Sequence, residues 1–207
     1  MKFDYGGREA ERGRVYAVGD CGKLKVVDVF DEFWDAWRDA NVVFIDFPYD
    51  NRMIKHYYRQ IDRETDKTFS DLMQRAFEII NEIDPDRVFV EIGSRNLSAV
   101  VDEMSKLRYK VKPHPCFYAK TNPCFIVEGC RRSDSLIDYQ ISDMDELKSI
   151  DEICAHEKGC ICDFFNGQGA VSLSAYKHGR AFVCSELNPN RLGNALTKLE
   201  KAGAVIR

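Results

Sequence analysis

The sequence predicts an α/β fold around a mostly parallel sheet, on three observations. Short apolar runs alternate with amphipathic stretches along the chain, the pattern of strands crossed over by helices. Some runs, such as Asn41–Asp46 (NVVFID), are apolar almost throughout rather than at alternate positions, as in strands buried on both faces. No repeat, low-complexity tract or Pro/Gly-rich linker divides the 207 residues, so a single domain over 1–207 is expected. A chain of this length buries roughly 70% of its unfolded surface and needs neither disulfide nor metal to hold a core.

Arg14–Val18 (RVYAV) reads as a strand ended by Gly19-Asp20. Leu24 to Ala40 reads as a helix, because Phe30, Phe33, Trp34 and Trp37 are spaced by three and four. The run to Asp46 is a strand, and Thr68 to Ile83 a helix with Phe69, Leu72, Met73, Ala76, Phe77 and Ile80 on one face, stopped by Asp84-Pro85. Arg87–Ile92 (RVFVEI) is a strand, followed by a helix from about Asn96 to Leu107. Cys116–Lys120 and Pro123–Cys130 form an antiparallel hairpin around Thr121-Asn122. Ser142-Asp143 caps a helix to about Ala155, with Glu146 near the capping-box position. The C-terminal part then alternates: strand 159–164, helix 170–178, strand 181–185 and helix 189–202.

Thirty Lys+Arg against 34 Asp+Glu leave a net charge of -4, so no global basic excess advertises nucleic acid or membrane. The charge is unevenly spread. Met104 to Arg132 carries seven Lys/Arg against Glu128 alone, whereas Ser133 to Asp163 carries nine acids and two lysines. A second basic stretch, Arg52, Lys55, Arg59 and Arg63 with His56, Tyr57 and Tyr58 interleaved, follows Asp46. Each run is either a solvated face or part of a basic surface. The charged start, Met1-Lys2-Phe3-Asp4-Tyr5-Gly6-Gly7, lacks a signal peptide's apolar stretch, and no apolar run approaches the ~20 residues that span a bilayer. A cytoplasmic protein with reduced thiols is expected. The eight cysteines contain no CxxC, and the spacings of His114, Cys116, Cys124 and Cys130 fit no standard zinc pattern. No metal site is expected; Cys124, Cys130, Cys160, Cys162 and Cys184 read as small buried hydrophobes.

Two motifs carry chemistry. In Cys162–Ala170 (CDFFNGQGA) a strand runs into a helix through Gly167 and Gly169, which permit close backbone approach to a ligand beside a helix N-terminus. No third glycine completes a G-x-G-x-x-G fingerprint, and a tight turn without ligand is the other reading. The next strand ends in Glu186, about twenty residues on, where an acid can accept from a ribose diol. The same acid also suits the start of the helix that follows. The second motif, Asp46-Phe47-Pro48-Tyr49, closes a strand and would be an ordinary turn if it stood alone.

Together these residues resemble the amino-group DNA methyltransferases. Cys160–Glu200 is similar to their D-P-F-x-G-x-G-T motif, helix, Gly179-Arg180 pair and strand ending in Glu186-Leu187-Asn188-Pro189, with Phe164 in place of Pro and Ala170 in place of Thr or Ser. The resemblance implies a doubly wound class I (Rossmann-like) methyltransferase fold. It also implies an S-adenosylmethionine pocket lined by Asp163, Phe165, Asn166, Gly167, Gly169, Glu186, Leu187 and Asn188. Asp46–Tyr49 resembles the family's D-P-P-Y catalytic tetrapeptide, with Phe47 in place of the first Pro. An exocyclic amine conjugated to a heteroaromatic ring is a poor nucleophile. On this resemblance Asp46 and the Phe47 carbonyl accept from its N–H bonds, Pro48 stiffens the turn and Tyr49 stacks the extruded base. The tetrapeptide precedes the glycine turn, as in the permuted β class, and Val15–Cys21 resembles the family's third strand, whose Asp20 would sit near the cofactor's adenine.

In place of a separate target-recognition domain, room is expected only in the loop after Tyr49 and the 104–132 hairpin, so Arg52, Lys55, Arg59 and Arg63 are the candidate phosphate contacts, with a short or partner-supplied recognition element or low sequence specificity. The expected activity is methylation of an exocyclic amine in DNA, adenine N6 by family analogy. RNA or protein as substrate, or an inactive cofactor-binding subunit signalled by Phe47 and Phe164, are the alternatives.

Overall fold

A computed structural model describes residues 8–119, 121–131 and 136–207. The charged heptapeptide at the start, and Lys120 and Arg132 of the basic run, lie outside them. Among the described residues, eight strands form one sheet in the order β1-β2-β8-β7-β3-β4-β6-β5. They are β1 (Val15–Val18), β2 (Gly22–Val26), β3 (Val42–Asp46), β4 (Arg87–Ile92), β5 (Lys110–Tyr118), β6 (Asn122–Cys130), β7 (Cys160–Asp163) and β8 (Ala181–Glu186). The five strands β2, β8, β7, β3 and β4 run parallel. β1 pairs antiparallel with β2, and the β5–β6 hairpin joins β4 through antiparallel β6.

Among the described residues, six α-helices cover both faces: α1 (Asn51–Arg59), α2 (Phe69–Ile83), α3 (Leu97–Lys106), α4 (Glu146–His156), α5 (Ala170–Lys177) and α6 (Pro189–Lys201). Alternate residues of each central strand supply the two cores. Val43 and Ile45 of β3 pack with Ile54, Phe77 and Val100 of α1, α2 and α3. Val42 and Phe44 pack with Ile153, Val171 and Leu196 of α4, α5 and α6. This is the doubly wound arrangement, and it explains why β3 is apolar without alternation. α2 begins with a capping box between Thr68 and Asp71 and ends at Asp84, whose left-handed φ of 54° precedes the proline.

Four expectations need correction. Residues 24–40 are not one helix: Gly22–Val26 is strand β2, and only Asp35–Asp39 is helical, as a 3-10 turn. In β2 Leu24 and Val26 are buried while Lys23 is exposed, a period of two that the aromatic spacing further on obscured. Because β2, and not β1, runs beside β8, the strand end that faces the ligand edge is Val26–Asp28. Asp20 instead sits exposed in the β1–β2 turn, at the opposite end of β2. Residues 51–59, read as loop, form α1, N-capped by Asp50, whose carboxylate accepts from the Arg52 and Met53 amides. The N-cap of α4 is Asp145 rather than Ser142-Asp143.

Candidate active site and cofactor pocket

The carboxyl ends of β2, β8, β7, β3 and β4 open into one cavity of about 520 Å³. The fold makes this the expected place for a ligand, because here the sheet's connections diverge to its two faces. Asp163, Phe165, Asn166, Gly167, Gly169, Glu186 and Leu187 line one half; Asp46, Phe47, Pro48 and Tyr49 line the other. The two motifs, more than a hundred residues apart in the chain, are neighbours because β3 pairs directly with β7.

The glycine turn is built around Glu186. The Gly167 amide donates to Glu186 Oε2 at 2.7 Å and the Asn188 amide to Oε1 at 2.9 Å. Gly167 and Gly169 hold φ of 55° and 87°, and a Cβ on Gly169 would come within 2.7 Å of the Ala195 Cβ on α6. Asn188 caps α6 through its side chain rather than lining the cavity. Asp163 accepts from the Phe165 amide at 2.8 Å, and burial pushes its carboxyl well above the usual range. Asn166 is 4% exposed, yet neither atom of its side-chain amide has a partner. A buried, unpaired amide in a cavity wall costs free energy unless a ligand satisfies it. With the glycine cradle and an acid free to accept more, this is a donor set that fits a ligand bearing an amino-acid tail and a ribose.

In the other half, Phe47 is buried against Phe69 and Phe165, at ring separations of 5.7 and 5.9 Å. Phe164 packs at 5.6 Å on Trp37 and 5.1 Å on Phe165. Both departures from the proline pattern thus belong to one aromatic cluster, which braces the tetrapeptide against the glycine turn. Asn96 Nδ2 donates to the Tyr49 carbonyl at 3.1 Å, fixing the far end of the turn. Asp46, the last residue of β3, is exposed and lines the cavity. Desolvation by the surrounding protein raises its carboxyl to about 6, against the opposing pull of Tyr49 and Arg191. Arg191, on α6 and 4.7 Å from the Tyr57 ring, is a cation for this acidic recess.

Of the basic residues singled out, Arg52, Lys55 and Arg59 are exposed on α1, at spacings that share one helix face. Arg63, whose side chain stays partly exposed, is ion-paired: its guanidinium contacts Asp28 at 2.9 Å and Asp31 at 3.2 Å. Asp28 in turn accepts from the Tyr58 hydroxyl at 2.9 Å and lines the cavity, at the position Asp20 was expected to fill. Sequence reasoning missed Asp28, Glu91, Glu146, Tyr118 and Arg191 as lining residues. Only Glu91, an acid at the end of an otherwise apolar strand, carried a signal that could have found it. Six of the eight cysteines, Cys116, Cys124, Cys130, Cys154, Cys162 and Cys184, are buried. Among the described residues no group of three or more His, Cys, Asp or Glu side chains is gathered for a metal. Nor, among them, is any helix long and apolar enough to cross a membrane.

No family model matches the chain, and no curated protein sequence does. Solved structures do. M1.HpyAVI superposes with a TM-score of 0.64 at 13% identity, over 86% of this chain and 98% of its own. TTHA0409 of Thermus thermophilus, a putative DNA modification methylase, gives 0.59 at 16% identity over 86% and 94%. PvuII DNA methyltransferase, cytosine-N4-specific, gives 0.59 at 10% identity over 89% and 91%. The fold is that of solved DNA methyltransferases. M1.HpyAVI and TTHA0409 are also solved as complexes with S-adenosylmethionine.

Proposed function

We propose that this protein transfers a methyl group from S-adenosylmethionine to an exocyclic amino group in DNA, adenine N6 being the amine favoured. The observation that carries the reading is the meeting, in one cavity, of a glycine turn with an unpaired buried amide and a D-F-P-Y turn. Asn166, Gly167, Glu186 and Asp28 would hold the cofactor, which supplies an electrophilic sulfonium methyl when bound. Asp46 and the Phe47 carbonyl accept from the target amine and direct its lone pair, Pro48 shapes the turn, and Tyr49 offers a stacking face. Arg52, Lys55 and Arg59 meet the phosphates. The likeness to the S-adenosylmethionine complexes and to a cytosine-N4 enzyme supports the cofactor and the class of amine. Phe47 and Phe164 do not favour an inactive subunit, since both rings are integral to the packing that braces the site.

The test is transfer of labelled methyl from S-adenosylmethionine to unmethylated DNA, RNA and protein, with nucleoside analysis of the product. Label in N6-methyladenine, lost in Asp46→Ala, is the expected result. Label in N4-methylcytosine would correct the amine, and label confined to RNA or protein would replace the substrate. No transfer to any of the three would overturn the reading.

A further inference from the structure

Glu91 has no part in the roles assigned so far, yet it is one of the most enclosed acids among the described residues, 1% exposed at the end of β4. In the parallel pairing of β3 with β4 it is the direct partner of Asp46, so the two carboxyl groups leave adjacent strands at the same edge. Paired residues on neighbouring strands stand about 5 Å apart, a separation at which two carboxylates, one of them fully buried, cannot both ionise cheaply. The Tyr49 hydroxyl donates to Glu91 Oε1 at 2.9 Å. The tetrapeptide's aromatic ring is therefore tethered at its polar end by a residue outside the tetrapeptide.

We infer that Glu91 is a positioning residue of this site: it stands beside its strand partner Asp46 and fixes the Tyr49 ring by accepting from its hydroxyl. The role of Tyr49 as the stacking platform rests on the reading above; the carboxyl pair does not. The surroundings decide which acid ionises first. Glu91 faces Asp46 on β3, Cys124 on β6 and Glu146 on α4, all of which resist its ionisation, together with the Tyr49 hydroxyl, which eases it. Tyr118 on β5 senses the same acids. Asp46 also faces Asp163 on β7 but is favoured by Arg191 from α6. Desolvation and these neighbours raise both carboxyls; Glu91, 1% exposed, is held up the more firmly, and Asp46, open to the cavity and favoured by Arg191, the less. Near neutral pH the charge resides on Asp46, where an acceptor for an amine is needed, and Glu91 is a neutral acid. Ionising Glu91 would place a second negative charge beside Asp46.

The experiment is a carbon-13 carboxyl titration of the intact chain by NMR, run beside methylation kinetics. Glu91 should titrate well above the ordinary carboxylate range. Its midpoint should fall by on the order of one unit in Asp46→Asn, where the opposing charge is gone, and rise in Tyr49→Phe, where the hydrogen bond is gone. Glu91→Gln, which keeps a carbonyl acceptor, should hold kcat within about threefold and lose the alkaline limb of its pH profile. Glu91→Ala should lower kcat about tenfold with cofactor affinity unchanged. Should Glu91→Ala fail to fold, the titrations and Glu91→Gln still decide. A Glu91 that titrates in the ordinary carboxylate range, or ignores Asp46→Asn, overturns the inference. If Glu91 behaves as expected but the wild type methylates nothing, the carboxyl pair stands and the methyl-transfer reading falls.

Discussion

Glu186 offers the sharpest separation of architecture from ligand binding, because it holds the glycine turn and, on the proposed reading, the cofactor as well. Its carboxylate accepts two backbone N–H bonds, from Gly167 at 2.7 Å and Asn188 at 2.9 Å, while the residue is 6% exposed. Glu186→Ala strands both amides in a buried turn, and each unpaired buried donor costs about 1–3 kcal/mol. Partial relaxation of the glycine turn leaves an expected stability loss of about 2–4 kcal/mol without ligand. A lost charge-assisted bond to a ribose adds about 1–3 kcal/mol to the binding deficit, or roughly five- to 150-fold in Kd. Glu186→Gln keeps one acceptor but turns an amide N–H towards the second donor, so it should fall between wild type and alanine. Urea denaturation with and without S-adenosylmethionine, and calorimetric titration of the same proteins, read the two losses separately. An alanine variant that unfolds at the wild-type urea midpoint would contradict the turn energetics. One that is destabilised yet binds with wild-type affinity would remove Glu186 from the cofactor's contacts.

Asp46→Ala should bind cofactor normally by calorimetry and lose turnover by about a hundredfold or more, since a preorganised charged acceptor is deleted. The wild-type rate should show an acid limb near 6 in a pH–rate profile, because Asp46 takes up a proton as pH falls through that value and ceases to accept as an anion. A limb at the ordinary aspartate value would refute the desolvation argument. Gly169→Ala should cost about 2–4 kcal/mol in urea melts, as the φ of 87° and the 2.7 Å approach to Ala195 act together. Gly179→Ala, with positive φ but open space around it, should cost about 1 kcal/mol in the same assay. Replacing Arg52, Lys55 and Arg59 together by Gln should flatten the slope of log K for DNA against log salt by about 2–3. Arg63→Gln should instead lower stability, through the Asp28 and Asp31 pairs, and leave that slope alone.

What the sequence determined by itself was whatever depends on local order. The apolar runs of β3, β4, β7 and β8 and the faces of α2 and α6 are legible because burial on both sides, or on one helical stripe, leaves a periodic record. The glycine turn, Glu186 and the Asp46–Tyr49 turn are legible because tight strand-end geometry restricts residue type. A short strand with lysines between its apolar residues leaves a fainter record, so the sequence merges β2 into a helix and points to Asp20, whereas the acid that lines the cavity is Asp28. Only the tertiary structure decided which strand ends share a cavity, because strand order is set by packing between segments far apart in the chain. That order brings β3 between β7 and β4, and so turns Glu91 from the last polar residue of a buried strand into the partner of Asp46. It also turns Arg63 from a candidate phosphate contact into the partner of Asp28. The environment of a charged side chain is a property of whatever folds around it, and its own sequence neighbours carry almost none of that information.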